Sequence, residues 1–373
     1  MSLKNDTRAP IRRRKAGPGA AVEARSKAQK IAFGPVIFYA AVVMRDTGLL
    51  ALLARSFPAG LTVEELCRQS GLSHYAVSVL TDLAVDADIV RYRDDHLVLE
   101  DLGYFLMNDT MTRVNMDFVR DICYQALPFL QESLQQGHPA GLHTLGDWDN
   151  VYQGLSSLKE PARSSWFRFD HYYSDQVFDT LLPIVFRRPV RRLLDVGANT
   201  GRWSLKCLDY DPDVELVMVD LPGQLALAKE NVEEHGSIDR VSFCAMDVLA
   251  EDARIPEGCD TIWMSQFLDC FAPHEIESIL TRAAQTMSSE ARLYILEPFS
   301  DHQQFTAASL SLNATSLYFS CVANGNSRMY SYREFAPLIS TAGLEIETEH
   351  HLSFGHSLLI CRVTPQTQRT LQR

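Results

Sequence analysis

Apolar and polar positions along the chain alternate in two different rhythms. From about Ile31 to Asn108 the spacing is mostly helical: VIFYAAVVMRDTGLLALLA, residues 36–54, repeats apolar residues at three and four positions and predicts one helix. Thr62 precedes LTVEELCRQSGL with Glu65 three residues on and Gly71 at the end, a capping-box start and a glycine stop. Ser73 opens a further helix, and VRYRDDHLVLEDLG then reads as two short strands around an Arg-Asp-Asp turn. Helices followed by a hairpin predict a winged helix. Residues 111–185 read as a helical connection dense in aromatics, among them Phe118, Tyr152, Trp166, Phe169, Tyr172, Tyr173 and Phe178. Such residues pack between domains or grip a planar substrate.

After Val190 the rhythm changes to strands alternating with helices. RRLLDVG, VELVMVD, VSFCAMDV, DTIWMSQFL and ARLYILEP are strand-like, TGRWSLKCLDY, GQLALAKENVEEHG, EIESILTRAAQTM and SYREFAPLISTAG are helical, and EIETEHHLSF with HSLLICRVT closes as an antiparallel pair. That order predicts a doubly wound α/β domain. No internal repeat is visible.

Charge changes the reading of the winged helix. Residues 1–30 hold nine Lys/Arg against two Asp/Glu, so the remainder carries a net −19. Between Thr62 and Val90 the one base is Arg68, against Glu64, Glu65, Asp82, Asp86 and Asp88. A recognition helix needs cationic and amide side chains towards DNA, so specific nucleic-acid binding is not expected and a dimerisation module is. The basic Pro- and Gly-containing start, 1–30, predicts a disordered tail. The eight cysteines are scattered without a C-x-x-C pair, and the histidines are too dispersed to suggest a metal site. With no apolar run of membrane-spanning length and no secretory signal, a cytoplasmic protein is expected.

The chemistry concentrates where strands end. Leu193-Leu-Asp-Val-Gly-Ala-Asn-Thr-Gly201 is a glycine-rich turn leaving the first strand of the α/β domain, the place where such sheets bind ligands. Its G-x-x-x-G spacing lacks the third glycine of dinucleotide binders, and Asp195 before the turn suits a ligand with a cationic end better than a pyrophosphate. Asp220 closes the next strand, 25 residues on, where a carboxylate can accept both hydroxyls of a ribose; Asp247 closes the third, beside an adenine position.

These motifs resemble those of class I S-adenosylmethionine (SAM)-dependent methyltransferases, and with the winged helix the whole ordered chain is similar to the small-molecule O-methyltransferases of the caffeate, acetylserotonin and hydroxyneurosporene type. The resemblance implies a Rossmann-like SAM-binding domain over 186–373, a dimerisation domain over 31–110 and a connection over 111–185 that adds to the substrate pocket. It also implies a homodimer and the product S-adenosylhomocysteine without a metal. Residue by residue it implies Asp195, Gly197 and Gly201 at the methionine end of SAM, Asp220 and Leu221 at the ribose, Met246 and Asp247 at the adenine, and further cofactor contacts from Ser265 and Tyr173. In the segment Ile262-Trp-Met-Ser-Gln-Phe-Leu-Asp-Cys-Phe271, Asp269 stands where family members with a general base have histidine. It is expected either to act on the acceptor or to cap the helix beginning near Pro273. Glu297 fits the first of two acidic residues that orient that base, and the second position falls near Met329. His171, Gln266 and His302 are expected towards the substrate. The reaction expected is O-methylation of a small aromatic or polyketide-like metabolite. C- or N-methylation, a SAM-binding relative without transfer, and a ligand-binding regulator are the alternatives.

Overall fold

The computed structural model describes residues 18–352 and 355–371. The chain divides into two compact units, Met1–Met116 and Asp117–Arg373.

In the first unit the composition-based expectation of a disordered start fails over Pro18–Ala32, which is helical. Proline fits the first turn, alanines dominate the interior, and Lys27 pairs with Glu23 one turn back, so local propensity favours helix despite the charge. Residues 1–17 of the expected tail lie outside the described residues. The single helix expected over 36–54 is two: Gly34–Asp46 and Leu49–Arg55, separated at Gly48, whose φ of +80° ends a right-handed turn. Helices Val63–Ser70 and His74–Asp86 start as the sequence says. Thr62 Oγ1 accepts from Glu65 N at 3.2 Å, Glu65 accepts from Thr62 N at 2.9 Å, and Ser73 caps Ala76 N. Strands β1 (Val90–Arg93) and β2 (His96–Leu99) pair antiparallel as the wing. Met44, Leu49, Leu50, Leu53, Leu66, Val77 and Leu97 form the buried centre of this unit. No single described helix is long and apolar enough to cross a membrane; 19–32 and 34–46 pass such a test only together, across a 64° bend.

The second unit is built on a seven-stranded sheet of β3 (Arg192–Val196), β4 (Glu215–Asp220), β5 (Val241–Ala245), β6 (Thr261–Ser265), β7 (Arg292–Glu297), β8 (Leu344–His351) and β9 (Ser357–Val363). The spatial order is β5-β4-β3-β6-β7-β9-β8, parallel except for β9, which runs antiparallel to both β7 and β8. The central strands are apolar on both faces because helices cover both. Since the chain winds outward from β3 in one direction and resumes at β6 in the other, the carboxyl ends of these two neighbours open a crevice. Residues 117–185 are wholly helical in character. Their helix Ala162–Asp175 sets Trp166 in a cluster with Phe118, Tyr318 and Phe319, with Phe118 stacked on Phe169 at 3.9 Å.

Candidate active site

The glycine-rich turn is shaped by positive φ at Gly197 (+78°), Asn199 (+49°) and Gly201 (+80°). Two backbone bonds from Gly197 N and Ala198 N to Val219 O tie it to β4. A Cβ at Gly197 would lie 2.3 Å from the Phe267 ring, so only glycine fits between the turn and the segment leaving β6. Asn199 is the hub. Its N–H donates to Asp220 Oδ2 at 2.7 Å and its side-chain amide to Asp170 Oδ2 at 2.8 Å. Asp220 also accepts from Leu221 N at 2.7 Å, which fixes its carboxylate facing the cavity at the end of β4.

That cavity brings together Tyr173, Gly197, Asp220, Leu221, Met246, Asp247, Gln266 and Asp269, residues the sequence placed at the site. An adjoining recess holds Asp195, His171 and Ser265 beside Asp170 and the stacked pair Trp203 and Trp263. Three expected site residues line neither space. Gly201 lies against Met218 and Ala228, so its use is to bring the following helix close to the sheet. Glu297, at the end of β7, is buried behind the cavity wall and its Oε1 accepts from Phe267 N at 3.2 Å and Leu268 N at 3.0 Å. It positions the segment carrying Asp269 and does not face the acceptor. His302 is turned to the far edge of the sheet, where it meets Ser357 and Glu349. His171, expected at the substrate, instead sits in the recess with Nε2 3.2 Å from Thr200 Oγ1. Burial and the nearby Arg202 push its pKa down to about 4, so it is neutral there.

Asp269 does not cap the helix Pro273–Thr286. Glu275 does that, accepting from Ala272 N at 2.7 Å, while Asp269 lies three residues before Ala272 within a short 3₁₀ turn, Leu268–Cys270. The turn is held by Asn324 Nδ2 donating to Cys270 O at 2.6 Å and by Tyr330 OH donating to Phe271 O at 2.7 Å. Asp269 is 5% exposed, and burial raises its pKa to about 7. Glu297 is raised further, by burial and then by the Asp269 charge. The Asp269 charge thus favours the protonated form of Glu297.

Several groups at the site escaped the sequence reading. Asp170 is half-buried, and lost hydration with the neighbouring acids Asp175 and Asp269 raises its pKa to about 7; its helical position in FRFDHYYSD gave no strand-end signal. Tyr152, Trp166 and Tyr318 line the acceptor side, with Trp166 Nε1 donating to Tyr318 OH at 2.8 Å. Asn199 Oδ1, Ser265 Oγ and Gln266 Nε2 are buried without a hydrogen-bond partner among the described residues. Unsatisfied polar atoms are scarce in native interiors, and these gather around one crevice, as a ligand-binding site requires. The chemistry fits SAM. Asp220 is a fixed carboxylate at the cavity, Met246 and Asp247 line the same space, and Asp170 and Asp195 are carboxylates at the adjoining recess.

Comparison with known proteins agrees with this geometry. Residues 25–97 match the Dimerisation2-like domain and residues 173–345 the O-methyltransferase domain. An L-tyrosine C(3)-methyltransferase of Streptomyces lavendulae is 22% identical over 328 residues, covering 87% of this chain and 88% of that protein. A 3-hydroxy-5-methyl-1-naphthoate 3-O-methyltransferase of Streptomyces sahachiroi is 25% identical over 47% of this chain and 49% of its own. Among solved structures, the apo form of the S-adenosylmethionine-dependent methyltransferase SibL superposes with a TM-score of 0.69 at 20% identity, over 91% of this chain and 99% of that one. The fold and site define a SAM-dependent methyltransferase. The chain carries a Dimerisation2-like domain followed by an O-methyltransferase domain.

Proposed function

We propose that this methyltransferase acts on an oxygen of a small aromatic or polyketide-like acceptor, with Asp269 as the group that takes or holds the acceptor's hydroxyl proton. The observation that carries this reading is Asp269 itself, buried on the cavity wall with Gly197 among the same lining residues and with a pKa raised to about 7. A base whose pKa lies near the working pH gives the best compromise between being deprotonated and being basic. Bound SAM supplies a methyl group already activated on a sulfonium sulfur. The chain's own work is to hold the acceptor in line, exclude water and receive one proton. Tyr152, Trp166, Phe271, Tyr318 and Phe319 form an apolar, planar-shaped wall for that acceptor, and Glu297 fixes the turn from behind. Asp195 and Gly197, with Asp170, serve the methionine end; Asp220 and Leu221 serve the ribose; Met246 and Asp247 serve the adenine; Ser265, Gln266 and Tyr173 close the space between the cofactor and acceptor.

No Lys, Arg or His is among the described residues lining the cavity, whereas Asp170, Asp220, Asp247 and Asp269 are. A free carboxylate on the acceptor would meet no counter-charge, so neutral or amine-bearing phenols are the better acceptors. The exposed apolar residues Phe33, Val36 and Val43, on and just before the helix Gly34–Asp46, support a homodimer formed through the first unit.

A second reading has its own support: transfer to a ring carbon beside a phenolic hydroxyl. The long match to an L-tyrosine C(3)-methyltransferase and the aspartate in place of a histidine favour it. Incubation with methyl-labelled SAM and a set of phenols, followed by NMR of the product, separates the two. A methyl ether supports O-transfer, and a ring methyl selects the second reading. Absence of transfer to every phenol in the set contradicts both.

A further inference from the structure

We propose that His302, Glu349 and His351 form a binding site for one divalent transition metal of the zinc class, at the edge of the sheet and apart from the cofactor crevice. Forty-seven residues separate His302 from Glu349, so spacing along the chain gives no hint of it; the sheet assembles it. Glu349 and His351 are alternate residues of β8 and so share a face. Ser357, on β9, is the register partner of His351 and also of Glu297 at the end of β7, and the loop leaving β7 brings His302 back over the same spot.

The distances suit a metal. Glu349 Oε1 lies 3.5 Å from His302 Nδ1 and 3.6 Å from His351 Nε2. A tetrahedral zinc with bonds of about 2.1 Å keeps its ligand atoms about 3.4 Å apart. One potential ligand atom from each of the three residues falls within 4.8 Å of the others, and the two imidazole rings meet edge-on at 4.8 Å and 77°.

The hydrogen bonds around the cluster point the same way. The buried Ser357 hydroxyl is 3.0 Å from His302 Nδ1 and 3.3 Å from His351 Nδ1. One hydroxyl can serve both rings if His351 Nδ1–H donates to Ser357 Oγ and the Ser357 hydroxyl donates to His302 Nδ1. The His351 Nε2 lone pair then faces Glu349, and a bound ion would take over from the Ser357 hydroxyl the single lone pair of His302 Nδ1. Glu349 Oε1 is itself buried without a hydrogen-bond partner among the described residues. Glu349 Oε1 and the two ring nitrogens lie close enough together for one cation to bridge them. Metal-ligating histidines characteristically hold their other nitrogen in a hydrogen bond of the kind Ser357 gives His351. The His351 side chain is 63% exposed, which leaves an open coordination position towards water.

A metal here would pin the loop after β7. That loop leads directly into the helix Thr306–Tyr318, which presents Ser311, Leu312, Thr315 and Tyr318 to the acceptor cavity. The site is therefore placed to stiffen one wall of the cavity while taking no part in methyl transfer.

The test uses the full-length protein stripped with a chelator and then titrated with Zn²⁺ by calorimetry and with Co²⁺ by visible absorption, alongside Glu349→Gln and His351→Ala. The expected result is one ion per chain, with the absorption of tetrahedral cobalt in nitrogen and oxygen ligands. Affinity should fall by about tenfold or more in each variant, and Zn²⁺ should raise the melting temperature of the parent alone. His351 is exposed enough for alanine to leave the fold intact, and circular dichroism of both variants checks this. Absence of binding in the parent overturns the proposal, as does a response of the cluster to protons alone. So does full affinity in either variant, or a thiolate–cobalt band, which would place the ion on cysteine.

Discussion

At the scale of single residues, the proposed chemistry rests on acids whose pKa burial raises. Asp269→Asn keeps the shape and removes the proton acceptor, so turnover should fall about 10²- to 10⁴-fold while SAM affinity changes little. Unchanged kcat in a steady-state assay would show that Asp269 only shapes the cavity. Glu297→Gln should act differently, because Glu297 touches the backbone of Phe267 and Leu268 and not the acceptor. Its effect should be a displaced pH profile for kcat, because the two carboxyls interact electrostatically, with a smaller loss of maximal rate. The same burial makes cofactor binding pH-dependent. Asp170 and Asp195 are raised to about 7 and Asp220 to about 6, all chiefly by burial. A folded-state pKa above the unfolded value stabilises the fold at low pH, and that stability is lost as pH rises through the folded value. The ligand-free protein should therefore lose stability from about pH 4 to about pH 7. A cationic ligand reverses the preference by favouring the ionised acids. SAM affinity should rise over the interval around pH 6–7 with release of protons, measurable by calorimetry in buffers of different ionisation enthalpy. Affinity that falls over that interval would contradict this assignment of the acids.

Secondary-structure elements explain why so much of the site was legible. An apolar strand, a glycine turn and a terminal acid leave signatures within ten residues, and Gly197, Asp220 and Asp247 all carry such a signature. Gly197→Ala tests the tightest of these contacts. The new Cβ would need φ near +78° and space taken by the Phe267 ring, so SAM binding should be lost while far-UV circular dichroism is retained. What the sequence hid depends on contacts made across the fold. Asp170 matters because Asn199, 29 residues away, reaches it. Asp269 stood between acting on the acceptor and capping the next helix, and Glu275 fills the capping role. His302 was expected at the substrate because it follows β7, but the loop turns it towards β8. The break at Gly48 was missed because apolar spacing runs straight through it, although the glycine marked it.

At the scale of the molecule, two units carry two tasks. The first presents an acidic pair of helices, a short wing and exposed Phe33, Val36 and Val43, features that suit self-association better than DNA. Light scattering should give the mass of two chains at micromolar concentration. Val36→Asp with Val43→Asp should shift it towards one chain with the secondary structure unchanged; a parent that is already monomeric removes the homodimer. The second unit gathers at the junction of β3 and β6 the fixed Asp220 carboxylate, an acid-lined recess and an aromatic wall. Isothermal titration of the full-length protein with SAM, and with S-adenosylhomocysteine, tests that convergence most directly. Saturable binding should be seen with both, weakened about tenfold to a hundredfold by Asp220→Ala through loss of charged hydrogen bonds. Undetectable binding, or binding that Asp220→Ala leaves untouched, would contradict the assignment of this crevice.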